Sequence, residues 1–207
     1  MRLLLALLVA LSASAMAADA ARADWAYLPP PVDAVVIYDD GHSSRIDAVS
    51  GDRITVITKA NGKSDRLVYR TWLVRERFLA GKKAKDELFL DTGASDEIVR
   101  LWPLRPGESF THSFRTERDG KLLSSGMQTL TYVGEELIEL PAGTFRAHKL
   151  QRKYTLTKAS DGKQYRGTQT TWHDTATGLV LRVDWDSEDP DGGTDEGSYV
   201  ATAVELP

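Results

Sequence analysis

The chain has 207 residues, with 26 lysines and arginines against 30 aspartates and glutamates, 42% hydrophobic residues and no cysteine. The slight acidic balance gives no support to a polyanionic partner such as nucleic acid or an acidic lipid surface. The missing thiols remove disulfides, cysteine nucleophiles and cysteine metal sites, so stability has to come from a packed core.

In chain order, one positive charge at Arg2 precedes an apolar run from Leu3 to Leu11 and small residues ending at Ala15-Met16-Ala17. That order predicts a secretory signal peptide over residues 1–17, cleaved after Ala17. The run is too short for the ~20 apolar residues of a spanning helix, so no membrane span is expected after cleavage. The expected mature protein is exported, soluble and periplasmic. With no cysteine available, lipid attachment through an N-terminal cysteine is not expected. Residues 18–33 are Ala-rich and then carry Pro29-Pro30-Pro31, whose fixed φ and missing N–H groups favour an extended lead-in. Residues 34–207 are read as one β domain, large enough to bury its own core.

From Asp33 onward the recurring period is two, which places alternate side chains on opposite faces of a sheet. Leu150, Tyr154 and Leu156 share one parity, and Gln151, Lys153, Thr155 and Thr157 the other. Leu179, Leu181, Val183 and Trp185 alternate with Val180, Arg182, Asp184 and Asp186, and Val200, Thr202, Val204 and Leu206 repeat the pattern less cleanly. Asn61-Gly62, Asp119-Gly120 and Asp161-Gly162 supply the positive φ of tight hairpins, so the strands they join should be antiparallel neighbours. The expected fold class is all-β: a curved, mostly antiparallel sheet or partly open barrel. One short helix is expected near 96–102, capped by Ser95, with Asp96 and Glu97 in its first turn and Pro103 ending it. The segment 71–85 fits neither period and is read as a strand followed by a basic loop at Gly81-Lys82-Lys83.

Three stretches resemble the DUF3108-like family of exported bacterial proteins of unknown function. They are Leu101–Ser109, the pair Val133–Glu136 and Leu140–Phe145, and the pair Thr170–Asp174 and Gly178–Val180. The resemblance covers roughly 101–186 and implies a curved antiparallel sheet in an envelope protein, with no catalytic residues to carry over. Read from the residues alone, the same motifs are structural. Pro141 begins a turn and Gly143 takes positive φ, which pairs Leu137–Leu140 with Phe145–Leu150.

Candidates for chemistry are few. His112 has the parity of Phe110 and Phe114, and His148 that of Leu150, so both are expected as neutral, hydrogen-bonded core imidazoles. His42 falls in a turn and is expected to be solvated. His173-Asp174 is the one dyad of a base beside a carboxylate, but neighbours on a strand point to opposite faces. No nucleophile elbow, phosphate loop or zinc pair is present, so no catalytic residue, metal or cofactor is nominated. The acidic run 184–196 does not have calcium-loop spacing and reads as a solvated hairpin.

The leading expectation is a non-catalytic module whose concave face binds an amphipathic ligand, a lipid or a glycan, through Tyr154, Leu156, Trp172, Leu181, Val183 and Trp185. A structural or assembly partner of another envelope protein, engaged through an exposed edge strand, is the alternative, and a hydrolase the third reading. An apolar cavity separates the first from the second, and a histidine converging with a carboxylate and a hydroxyl in a cleft would support the third.

Overall fold

The computed structural model describes residues 24–79, 87–91 and 95–207. The expected signal peptide, the lead-in up to residue 23 and the Gly81-Lys82-Lys83 loop lie outside the described residues.

Alternation and turn chemistry produce a meander of twelve strands: β1 (Val35–Tyr38), β2 (Ser43–Ser50), β3 (Arg53–Ala60), β4 (Lys63–Arg70), β5 (Val74–Leu79), β6 (Glu87–Asp91), β7 (Ser109–Arg118), β8 (Lys121–Leu140), β9 (Gly143–Lys158), β10 (Gln164–Asp174), β11 (Val180–Glu188) and β12 (Thr194–Glu205). Each pairs antiparallel with its neighbour in sequence, and β1 pairs with both β2 and β12, so the strand order closes into a barrel. The all-β class and the antiparallel order follow the pattern read above. Closure comes from a pairing between chain ends, which periodicity does not encode. Asn61-Gly62 and Asp119-Gly120 occupy the β3–β4 and β7–β8 turns with positive φ at both residues, as two-residue hairpins require.

Six strand pairs carry a register shift among the described residues. An inserted residue bends a strand and increases its twist, which a curled sheet needs in order to meet itself. It also reverses parity. On β12, Tyr38 pairs with Ala201 and Ile37 with Ala203, leaving Thr202 as the extra residue. The inward set is therefore Val204 on one side of the bulge and Ala201 and Tyr199 on the other, which explains the imperfect pattern at 200–206. On β11 the extra residue is Leu181, between Val180 opposite His173 and Arg182 opposite Trp172.

The turns divide the barrel into two ends. One bears the β2–β3, β4–β5, β8–β9 and β10–β11 turns together with helix α1 (Ser95–Val99), and it is plugged. Trp25 forms an isolated bridge with Leu104, its N–H donating to the Leu104 carbonyl at 2.7 Å and its carbonyl accepting from the Leu104 N–H at 2.9 Å. Its indole is buried among Leu73, Ile98, Leu130, Tyr132 and Leu150. The helix is shorter than the expected 96–102, because the chain turns at Arg100 and Leu101. Arg70 holds it to the barrel, donating to Asp96 at 2.7 Å and to Asp52 at 2.6 Å.

The segment 71–85 differs from its reading. Thr71, Trp72 and Leu73 form the tight β4–β5 turn, and the strand begins only at Val74. Thr71 and Trp72 have φ of 50° and 66°, a region that a β-branched and an aromatic residue disfavour. Burial under the plug outweighs that preference: Thr71 is 1% and Leu73 0% exposed.

Where β8 crosses β7 and β9, Gly126 makes room for its neighbours. A Cβ there would lie 2.0 Å from the Thr155 carbonyl oxygen and 2.9 Å from the Leu156 Cα, and backbone cannot swing aside. Gly126→Ala is expected to cost ~1–3 kcal/mol through overpacking. Urea unfolding checks this, with a lower midpoint predicted and an unchanged midpoint counting against the packing described.

Candidate functional site

Above the plug the barrel is not filled. A cavity of about 620 Å³ lies between the strands, lined by inward-facing residues of β1–β5 and β7–β12. Val56, Leu67, Phe114, Leu156 and Val183 give it an apolar wall, while Ser44, Thr58, Thr116, Ser187 and Asp195 add polar groups toward the hairpin end.

Three glycines keep this lumen open. Gly126 pairs across the sheet with Phe114, Gly167 with Tyr154 and Gly197 with Trp185. A Cβ at Gly197 would fall 2.3 Å from the Trp185 ring, and one at Gly167 would fall 2.6 Å from the Tyr154 hydroxyl. Each aromatic thus lies over a glycine, against the wall, where a side chain opposite would push it into the cavity.

Of the residues nominated from sequence, Tyr154, Leu156, Val183 and Trp185 line the cavity. Leu181 is fully buried in the core at the bulge, among residues such as Val36 and Ala201. Trp172 sits on the strand face opposite Thr171 and His173, which do line the cavity. Lys149 and Arg182 lie 4.9 and 4.6 Å from its ring, and its Nε1 donates to Glu136. Reading Trp172 with the concave face ignored the alternation that already separated His173 from Asp174.

The residue that sequence reasoning passed over is Arg152. It occupies the parity of Leu150, Tyr154 and Leu156, one inward position above Leu150 of the plug. Its Nη1 donates to Gln169 Oε1 at 3.3 Å and its Nη2 to the Leu73 carbonyl at 3.0 Å, across the barrel to the β4–β5 turn. Burial pulls its pKa down to about 10, with Arg75 adding repulsion, which still leaves it a cation at neutral pH. A charged residue in an otherwise apolar parity was the available signal.

The histidines divide in two. His112 is buried, donating from Nδ1 to the Ser113 carbonyl at 3.1 Å and accepting from Gln128 at 3.3 Å, and burial lowers its pKa. His148 is stacked on Trp25 at 4.8 Å and bonded to the Tyr132 hydroxyl at 2.9 Å; burial takes its pKa down to about 4, with Asp174 opposing only weakly. His173 pairs with His148 across the β9–β10 ladder, and its Nε2 bonds the Thr171 hydroxyl at 2.9 Å. Burial first, then His148 and Arg152, bring it down to about 3. These are core imidazoles, as expected for His112 and His148. His42 is not solvated: only 15% of its side chain is exposed, its ring stacks on Tyr38 at 4.2 Å, and Nδ1 meets Asp40 Oδ1 at 2.5 Å at the cavity margin. The Asp174 carboxylate accepts from Thr177 at 2.6 Å, away from the His173 ring.

The acidic run forms the β11–β12 hairpin. Asp189 Oδ1 accepts from the N–H groups of Asp191 and Gly193 at 2.9 and 2.8 Å, while Arg166 pairs with Glu188 and Lys163 with Asp191. Among the described residues, no cluster of three His, Asp or Glu side chains is arranged to hold a metal ion, and no helix is long and apolar enough to cross a membrane.

No protein-family model matches the chain, and no curated protein matches it. Solved structures that it is similar to include the hypothetical lipoprotein YmcC from Escherichia coli, 15% identical with a TM-score of 0.45, covering 79% of this chain and 89% of that one. A structure named as a lipoprotein from Parabacteroides distasonis is 10% identical with a TM-score of 0.40, covering 88% and 100%. A structure named as an exported protein with YmcC-like fold from Bacteroides fragilis is 10% identical with a TM-score of 0.42, again covering 88% and 100%. Their names state no activity, and no residue role passes from them to this chain. The DUF3108-like resemblance likewise has no matching family model behind it.

The histidines make stability depend on pH with a definite sign. Unfolded, His148 and His173 titrate near 6.5; folded, they titrate at about 4 and about 3. Between those values the unfolded chain binds protons that the fold excludes, so the two histidines leave stability unchanged above pH 6.5 and increasingly favour the unfolded chain as the pH falls below it. The unfolding free energy read from urea titrations should fall between pH 6.5 and 4.5, by up to ~1.4 kcal/mol per pH unit for each histidine. His148→Gln should reduce that slope by one histidine's share; an unchanged slope would exclude His148 as a contributor.

Proposed function

We propose that the protein is a non-catalytic binding module of the cell envelope that holds an amphipathic ligand, a lipid in preference to a glycan, inside its barrel. The carrying observation is the cavity of about 620 Å³, within the ~300–1,000 Å³ of small-molecule sites. Its lining mixes apolar side chains with polar ones, Gln128, Gln169 and Thr171 among them, which suits a molecule with both characters. The Val56, Leu67, Phe114, Leu156 and Val183 wall favours a hydrocarbon chain over a sugar. The envelope location rests on the signal-like order of residues 1–17. A partner docked on a free sheet edge has less support, because each of the twelve strands is paired on both sides. A hydrolase has less support: His42 has Asp40 but no serine or threonine hydroxyl on its ring among the described residues, and His148, with the Tyr132 hydroxyl at 2.9 Å and Glu135 at 3.6 Å, is buried under Trp25 and does not line the cavity.

Titration with N-phenyl-1-naphthylamine, an uncharged dye that brightens in apolar surroundings, tests the reading. Saturable binding of one dye per barrel, displaced by single-chain amphiphiles, is expected. Gly197→Ala, which pushes Trp185 into the lumen, should weaken the dye by about tenfold, or 1.4 kcal/mol. Dye that does not saturate, or that is indifferent to Gly197→Ala and to amphiphiles, would contradict the proposal.

A further inference from the structure

The cavity contains a cation, Arg152, that no carboxylate of the described residues pairs with. A guanidinium carries five N–H donors, and Arg152 uses two of them, both on neutral acceptors, Gln169 Oε1 and the Leu73 carbonyl. Its Nε is buried with no acceptor at all. Among the described residues no carboxylate lies within the 4.0 Å of an ion pair, and the charged neighbour that acts on it is a second cation, Arg75, also on the cavity lining. Asp195, an acidic lining residue, belongs to the hairpin end of β12, opposite Ser187.

Removing an ion from water without an opposite charge is costly, and a neutral donor could tie β9 to the β4–β5 turn with the same two bonds. The charge is therefore surplus to any role as a strut, and it is placed at the bottom of the cavity, one inward position above the plug residue Leu150. What such a guanidinium complements is an anion with two or more oxygens, because its fork matches carboxylate and phosphate geometry.

Resting on the binding reading above, we propose that the ligand is an anionic amphiphile whose carboxylate or phosphate head lies against Arg152 at the plugged end. Its chain runs past Tyr154, Phe114, Leu156 and Val183 toward the hairpin end. The head thus enters first and is buried, the reverse of a carrier that sheathes a tail and leaves its head at the rim.

Competition against the same dye with three probes of equal chain length, hexadecanoic acid, hexadecyl phosphate and hexadecan-1-ol, separates the alternatives. Wild type is expected to prefer at least one acid over the alcohol by tenfold or more, and the stronger acid identifies the head. Arg152→Met should bring that ratio to about one while alcohol binding persists, and Arg152→Lys should keep part of it. If Arg152→Met does not fold, the carboxyl ¹³C resonance of labelled hexadecanoic acid bound to wild type decides: it should stay ionised to a lower pH than the acid free in detergent. An acid-to-alcohol ratio of one in wild type, or a bound carboxyl that protonates as it does in detergent, overturns the anionic head and leaves the amphiphile reading standing. Displacement by none of the three overturns both.

Discussion

The number of strands decides most of what this protein can be. An eight-stranded barrel is just narrow enough for its own side chains to fill, and the interior widens roughly in proportion as strands are added. With twelve strands in the ring, inward side chains meet across the lumen only in places, as where Arg152 reaches the Leu73 carbonyl, so the chain has to close the rest by other means or leave it open. It does both. Trp25, helix α1 and Leu104 are folded in as a plug at one end, and the remaining length is cavity. The glycines beneath Phe114, Tyr154 and Trp185 then act in the direction of openness, since a larger residue at any of them would force a ring inward.

The plug also fixes the electrostatics. Packing Trp25 on His148 and close to His173 removes both imidazoles from water, and burial outweighs the nearby carboxylates, so they stay neutral. Arg152, the next inward group on β9, cannot escape its charge in the same way, because a guanidinium deprotonates only at far higher pH. Two neutral histidines beneath a retained cation leave the base of the cavity positive. Acidification would add to that positive charge only by breaking the plug, so the local field is stable across the range in which the fold is stable.

The parts legible in the sequence were those set by neighbours along the chain. The alternation of Leu150, Tyr154 and Leu156, the hairpins at Asn61-Gly62 and Asp119-Gly120, and a short helix beginning at Ser95 each depend on a few adjacent residues. Four of the six nominated ligand residues line the cavity for the same reason. What stayed hidden depends on distant partners. The β1–β12 closure and the Trp25–Leu104 bridge join remote segments, and neither leaves a periodic trace. The bulges at Leu181 and Thr202 reverse parity inside strands that otherwise alternate, which removed Leu181 from the lumen. The Thr71-Trp72 turn uses residues that oppose its backbone geometry, so no turn signal marked it; only the buried plug above explains it.

The proposed ligand requires the barrel to be a container rather than an incompletely packed core. Native mass spectrometry of the full chain, purified without detergent from an exporting host and followed by organic extraction of whatever dissociates, addresses that most directly. A stoichiometric acidic amphiphile released with the protein is the predicted result. A single clean mass equal to that of the polypeptide, with nothing lipid-like in the extract at any charge state, would contradict tight carriage.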